Sequence, residues 1–215
     1  MTIRRIAVVS AGLSQPSSTR LLADRLAKAT VDRLEHDGAE IAVDTIDLRD
    51  LAHDVTNNLL TGFASPKLEA ILEQVTSADG LIAVTPIYTT SYSGLFKSFI
   101  DILDPQSITG LPVLIGATGG SERHSLALDY AMRPLFSYLH AVVVPTGVYA
   151  ASGDWGSDGT SSATSGTGAT SLPERIERAA GELAALVRES DRSSIVRDPF
   201  DLPAGFSPVG AFGAQ

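Results

Sequence analysis

Three short stretches of this 215-residue chain combine hydroxyls, glycines and aromatic residues in patterns that suit ligand binding. The first, 10–19, reads SAGLSQPSST and leads into an amphipathic run. A helix N-terminus presents free N–H donors and a partial positive charge, so a loop of this kind suits an anion. Ser17, Ser18 and Thr19 add hydroxyl donors, and Arg20 lies within reach. Gly12 is the only glycine here, too few for a G-x-G-x-x-G pyrophosphate turn, and no G-K-[ST] follows, so the expected anion is a single monophosphate. Ser17 or Ser18 serves equally well as a plain helix cap. The second stretch, 87–93, is hydroxyl-rich, uncharged and holds Tyr88 and Tyr92. It suits a flat, polar-edged, uncharged ring, and we expect the isoalloxazine of a flavin there. The alternative is a surface loop whose tyrosines pack on the body. The third stretch, Thr118-Gly119-Gly120-Ser121, allows close backbone approach to a ligand, or is simply a glycine turn before a helix.

Each stretch follows an apolar run of strand length. Strands are expected at 3–9, 39–46, 81–84, 112–117 and 141–144. The third is expected to break at Thr85-Pro86. Helical spacing recurs in Leu22, Leu26 and Ala29, in Leu68, Ile71, Leu72 and Val75, and in Leu95, Phe96, Phe99 and Ile100. A further helix carries Leu126, Tyr130, Leu135 and Leu139 with a kink at Pro134, and a last one spans 172–190. The connection 47–66 is polar, with weak signals for structure of its own. Five strand–helix alternations imply a doubly wound parallel sheet. All three loops then fall at one end of it, where open α/β sheets bind ligands.

Composition narrows the chemistry. The chain has no cysteine, which excludes disulfides, thiolate metal sites and cysteine nucleophiles. His36, His53 and His140 lack metal-site spacing with acids. His124 and Arg123 sit just past the third loop; Arg20 and Arg123 are candidates for the extra phosphate of NADPH. A net charge of −9 argues against nucleic acid and anionic membrane surfaces as partners. No apolar run is long enough for a membrane helix, so a cytoplasmic location is the default expectation. Residues 150–171 are rich in Gly, Ser, Thr and Ala and are expected to form a flexible insertion; 191–215 is expected to be an irregular tail.

Taken together, SAGLSQPSSTRLLADRL, TPIYTTSYSGLFKSFIDIL and GATGGSERH resemble the NADPH-dependent FMN reductase family of the flavodoxin-like superfamily. Within it they look most like members paired with luciferase-like flavin monooxygenases. The middle motif is the most specific, with Pro86, Tyr88, Ser91, Gly94 and Lys97 at the family's spacing; Ile87 stands where many members have Glu. The resemblance covers about 3–149 and, more weakly, the last helix. It implies an α/β, flavodoxin-like doubly wound five-stranded parallel sheet, order 2-1-3-4-5, with helices on both faces and one domain over 1–190. It implies that Ser10, Ser17, Ser18 and Thr19 line an FMN phosphate. Pro86, Ile87, Tyr88 and Ser91 would flank the ring, and Thr118, Gly119, Gly120 and Ser121 would approach its edge or the ribityl chain. It further implies hydride transfer from NADPH (or NADH) to FMN, a luciferase-like monooxygenase as recipient, and a homodimer or homotetramer. No acid–base pair stands out as catalytic. A quinone or azo reductase with tightly bound FMN remains open, as does a flavodoxin-like electron-transfer module that is not an enzyme.

Overall fold

A computed structural model describes residues 3–36, 38–155 and 170–190. Strands β1 (Ile3–Ser10), β2 (Glu40–Asp47), β3 (Gly80–Tyr88) and β5 (Pro112–Gly119) lie in the order β2-β1-β3-β5, all parallel. Two short strands, β6 (Val142–Val143) and β7 (Val148–Ala151), share the outer side of β5, pairing with its start and its end respectively. Pro145 lies between them and has no N–H to continue the ladder. The fifth strand of the sequence reading, 141–144, is the short β6, and β7 is a further strand that it did not include. The expected order 2-1-3-4-5 holds for the sheet, which has seven strands rather than five. The extra member besides β7 is β4 (Ser91–Tyr92), which folds back antiparallel on β3.

Alternation along β1 sends Ala7 and Val9 to one face and Ile6 and Val8 to the other. One face is covered by α1 (Ser18–His36) and α6 (Leu172–Glu189), which also pack on each other through Leu22, Leu26, Leu183 and Val187. The other is covered by α2 (Ala52–Thr61), α3 (Pro66–Thr76), α4 (Gly94–Asp101) and α5 (Arg133–Tyr138). Local signals set the helix starts. Ser65 caps α3 with Pro66 at its first position, and Ser171 and Glu174 form a reciprocal capping box at α6.

Three expectations are corrected. Segment 47–66 is not plain loop; it forms a 3₁₀ turn (Leu48–Leu51) and α2, whose buried Leu48, Leu51 and Val55 are too few to show a clear period. The helix expected around 126–139 is a π-helical turn, Leu128–Met132, running into α5. The wider turn rotates the buried side, so Leu128, Met132, Phe136 and Leu139 are buried while Leu126 and Tyr130 are exposed. Pro134 follows directly on that turn within the helical run, where it has no N–H to bond the turn before it. Residues 150 and 151, grouped by composition with the Gly/Ser/Thr segment, end β7, and Ser152–Trp155 is a 3₁₀ turn. Residues 156–169 and 191–215 lie outside the described residues.

Candidate functional site

The strand register puts the ends of β1, β3 and β5 side by side. Ser10 is opposite Val84, Val84 opposite Gly116, and Pro86 opposite Thr118. The loops they feed are tied together. The Ala11 N–H donates to the Val84 carbonyl at 2.9 Å, and the hydroxyls of Thr19 and Thr118, both buried, meet at 2.8 Å. In the first loop Ser17 precedes α1 and its Oγ accepts the Arg20 N–H at 3.2 Å, so Ser17 is the helix cap. A Cβ on Gly12 would stand 2.0 Å from that Oγ, which is why the loop has glycine there. Ser18, next along, is exposed.

The second stretch is not a loop after a broken strand. β3 runs on through Thr85 and Pro86 to Tyr88, turns at Thr89-Thr90, and returns as β4. A two-residue hairpin turn of this kind needs positive φ at both central residues. Thr89 (47°) and Thr90 (72°) supply it, although β-branched residues resist this region at a cost of about 1–3 kcal/mol each. The base of the hairpin is pinned from below. The Ser93 N–H donates to the buried Thr85 Oγ1 at 3.1 Å, and Ser93 in turn caps α4. The two tyrosines divide: Tyr92 packs inward against Phe96, ring centroids 5.9 Å apart, while Tyr88 stays about half exposed.

In the third stretch, the Tyr149 hydroxyl donates to the Ser121 carbonyl at 2.8 Å. A Cβ on Gly119 would fall 2.1 Å from that hydroxyl, so glycine is required. Burial pushes the Tyr149 phenol above its ordinary pKa, keeping it a donor.

These loops enclose a cleft of about 320 Å³. Of the residues singled out in the sequence, Ser18, Thr19, Pro86, Ile87, Tyr88, Thr118, Gly119 and Gly120 line it. Ser10, Ser17, Ser91 and Ser121 do not. Ser10 is fully buried at the end of β1, and its hydroxyl has no hydrogen-bond partner among the described residues. Ser17 faces the opposite side of its loop, Ser91 pairs with Tyr88, and Ser121 holds Tyr149 through its carbonyl. The cleft also takes in Leu13, Ser14, Ser152 and Trp155, which sequence reasoning missed. Trp155 is the chain's single tryptophan; that rarity was its one signal, within a segment read as a flexible insertion.

Among the described residues no lining side chain of the cleft is charged. On the far side of the first loop lies a second cavity of about 270 Å³, where Arg20 is flanked by Asp24, Asp47 and Asp50. Arg20 donates to Asp24 at 2.8 Å and to Asp47 at 2.5 Å. The Asp24 hydrogen bond, helped by the charge of Asp47, raises the Arg20 pKa still further. These two carboxylates occupy the guanidinium proposed from sequence for an NADPH phosphate, and hold it outside the cleft. Arg123 and His124 are exposed on the 3₁₀ turn after the third loop and do not line the cleft. Among the described residues no cluster of His, Asp or Glu could hold a metal ion, and no helix is long and apolar enough to cross a membrane.

The arrangement can therefore take an uncharged ring between the hairpin and the glycine turn, and an anion at the start of α1. The open space over Gly120 leaves room for a bound, polar-edged group. Comparison with known proteins agrees. The model of the NADPH-dependent FMN reductase family matches residues 4–156. An FMN reductase (NADPH) of Pseudomonas aeruginosa is 37% identical over 153 residues, covering 70% of this chain and 78% of that one. The NADH-dependent FMN reductase SfnF of Pseudomonas putida is 38% identical over 149 residues, covering 69% and 78%. Among solved structures, an oxidoreductase of Corynebacterium diphtheriae superposes with a TM-score of 0.81 at 46% identity, over 89% of this chain and all of that one. The NADH:FMN oxidoreductase EmoB does so with 0.66 at 25% identity, over 94% and 98%. The chain belongs to the NADPH-dependent FMN reductase family, and it is an NAD(P)H-dependent flavin oxidoreductase.

Proposed function

We propose that this cleft takes up FMN as a substrate, that NADPH or NADH reduces it there, and that the reduced flavin leaves for a luciferase-like monooxygenase. The observation that carries the reading is the cleft shared by all three loops, whose described lining is uncharged, with the start of α1 at one end and a hairpin at the other. FMN supplies the hydride-accepting ring. The chain's own work is placement. The first-turn N–H groups of α1 and the exposed Ser18 hydroxyl hold the phosphate. The Arg20 N–H is already used by Ser17 and Ser10 lies beneath, so the phosphate contacts proposed are those of Ser18 and Thr19. Pro86, Ile87 and Tyr88 bound one edge of the ring, and backbone N–H groups of Gly119 and Gly120 face the charge that develops on reduction. No side chain of the cleft acts as general acid or base. Stacking and distance bring about the transfer.

Among the described residues no cation clamps the phosphate end, which favours a flavin that exchanges over one that stays. The recipient monooxygenase rests on the resemblance of the three motifs. We also propose a homodimer or homotetramer, with exposed Leu60 and Phe63 (79% and 80%) at the end of α2 as contacts. Residues 1–190 are proposed as the flavodoxin-like unit and 191–215 as its tail.

The test is NADPH oxidation at catalytic protein concentration with free FMN varied. Turnover that saturates at FMN far above the protein concentration supports the proposal. One FMN per site followed by a need for quinone or azo dye would replace it with a bound-flavin reductase.

A further inference from the structure

Trp155 lines the cleft, yet it comes from the 3₁₀ turn after β7 rather than from any of the three loops. Two arginines brace this turn. The Arg25 guanidinium of α1 lies 5.1 Å from the centroid of the Trp155 ring, within cation–π range. Arg175 of α6 donates to Asp154 at 2.7 Å and also to the Tyr149 carbonyl, and Asp154 accepts the Ala151 N–H at 2.8 Å. The Arg175–Asp154 pair is about three-quarters buried. Position fixes which end of the cleft the indole serves. Arg25 lies seven residues beyond Ser18, on the same face of α1 and about 10 Å along it. The indole reaches from that face into the cleft at its α1 end, the end where the phosphate is held.

We propose that Trp155 is a specificity-determining residue of the flavin site. It closes the phosphate end of the cleft, so that the site takes a flavin ending in its phosphate and refuses one extended by a further nucleotide, as in FAD. This rests on the reading of the cleft as the flavin site. The phosphate end is bounded by Leu13 and Ser14 of the first loop and by Ser152 and Trp155 of the late turn. An adenylate joined to the phosphate must pass the indole, which Arg25 holds directly while Arg175 and Asp154 fix the turn that carries it. Shape exclusion of this kind discriminates by about 10- to 200-fold.

The sole tryptophan also makes the site self-reporting. FMN titrated into the wild-type chain is expected to quench Trp155 fluorescence in a saturable way. Equilibrium dialysis then gives the dissociation constants for FMN and FAD in the wild type, Trp155→Ala, Trp155→Phe and Arg25→Gln. The wild type is expected to prefer FMN, Trp155→Ala to narrow the preference at least about tenfold, and Trp155→Phe to retain most of it. Arg25→Gln leaves the indole unbraced and is expected to fall between. An unchanged FMN:FAD ratio in a folded Trp155→Ala variant overturns the proposal, as does FMN binding without any change in Trp155 fluorescence. If Trp155→Ala does not fold, Arg25→Gln decides, and a wild-type ratio there overturns the proposal. A wild-type chain that binds neither flavin would sink the cleft reading itself, a separate outcome from a changed or unchanged ratio.

Discussion

Two cavities flank the first loop and share Ser14, but they are built on opposite plans. The cavity beside β2 is crowded with charge, including Arg20, Asp24, Asp47 and Asp50. The cleft over β3 and β5 has none. Counting charges would place an anion in the first. Of its two arginines, Arg20 is already claimed by two carboxylates, and three acids against Arg20 and Arg49 leave the cavity without net positive charge. The cleft offers the start of α1 and the exposed Ser18 hydroxyl with no carboxylate beside them, which is what a phosphate needs. Unspent donors mark the better anion site, and net charge does not.

The sharpest way to break this comparison is to put a charge where there is none. Ser18→Asp places a carboxylate at the helix start facing the phosphate. An acid there suits the helix dipole, so the fold is expected to survive. FMN affinity is expected to drop at least about 100-fold, roughly 2.7 kcal/mol, as read by flavin titration. Unchanged affinity would remove the phosphate from α1.

Gly119→Ala attacks the cleft through its shape. The new Cβ would collide with the Tyr149 hydroxyl, whose ring is buried and has little room to yield. A stability loss of about 1–3 kcal/mol is expected in thermal or denaturant unfolding, with weaker FMN binding. A variant as stable as the wild type would show that the third loop yields freely.

Arg20→Gln tests the other cavity. It frees Asp24 and Asp47 from their partner, but the pairs are more than a third exposed, so the stability cost is expected to stay below about 1 kcal/mol. FMN affinity is expected to stay within about twofold of the wild type. A large loss would mean that Arg20 acts on the phosphate after all.

The smallest effect belongs to Tyr149. Its phenol has a raised pKa in the fold, so its proton is held more tightly in the native than in the unfolded chain. Its contribution to stability is therefore complete below about pH 10 and fades as pH climbs through the raised value. Tyr149→Phe is expected to lack that alkaline loss, visible as a flatter unfolding free energy above about pH 10.

Much of the frame was legible in the chain. Continuous apolar runs marked β1, β3 and β5, Ser65-Pro66 marked a helix start and amphipathic spacing marked the last helix, because these signals act over short stretches. The same locality let the loops at the ends of β1, β3 and β5 be named as the binding edge. What failed had partners far away. The hairpin at Thr89-Thr90 carries no turn residues of the usual kind, and its pairing on β3 overrides local preference. The π-helical turn shifts the buried face by packing rather than by pattern.

The sequence by itself determined the alternation of strands and helices and the uncharged character of the three loops. Periodicity and composition set these over short windows. Only the tertiary structure decided which hydroxyls reach the cleft. It buried Ser10 without a partner, spent Ser17 as a cap, joined Thr19 to Thr118 across 99 residues, and bound Arg20 to Asp47. It also brought Trp155 to the cleft, braced by Arg25 from another helix. Distances between residues remote in sequence are fixed by how layers pack, and no local pattern encodes them.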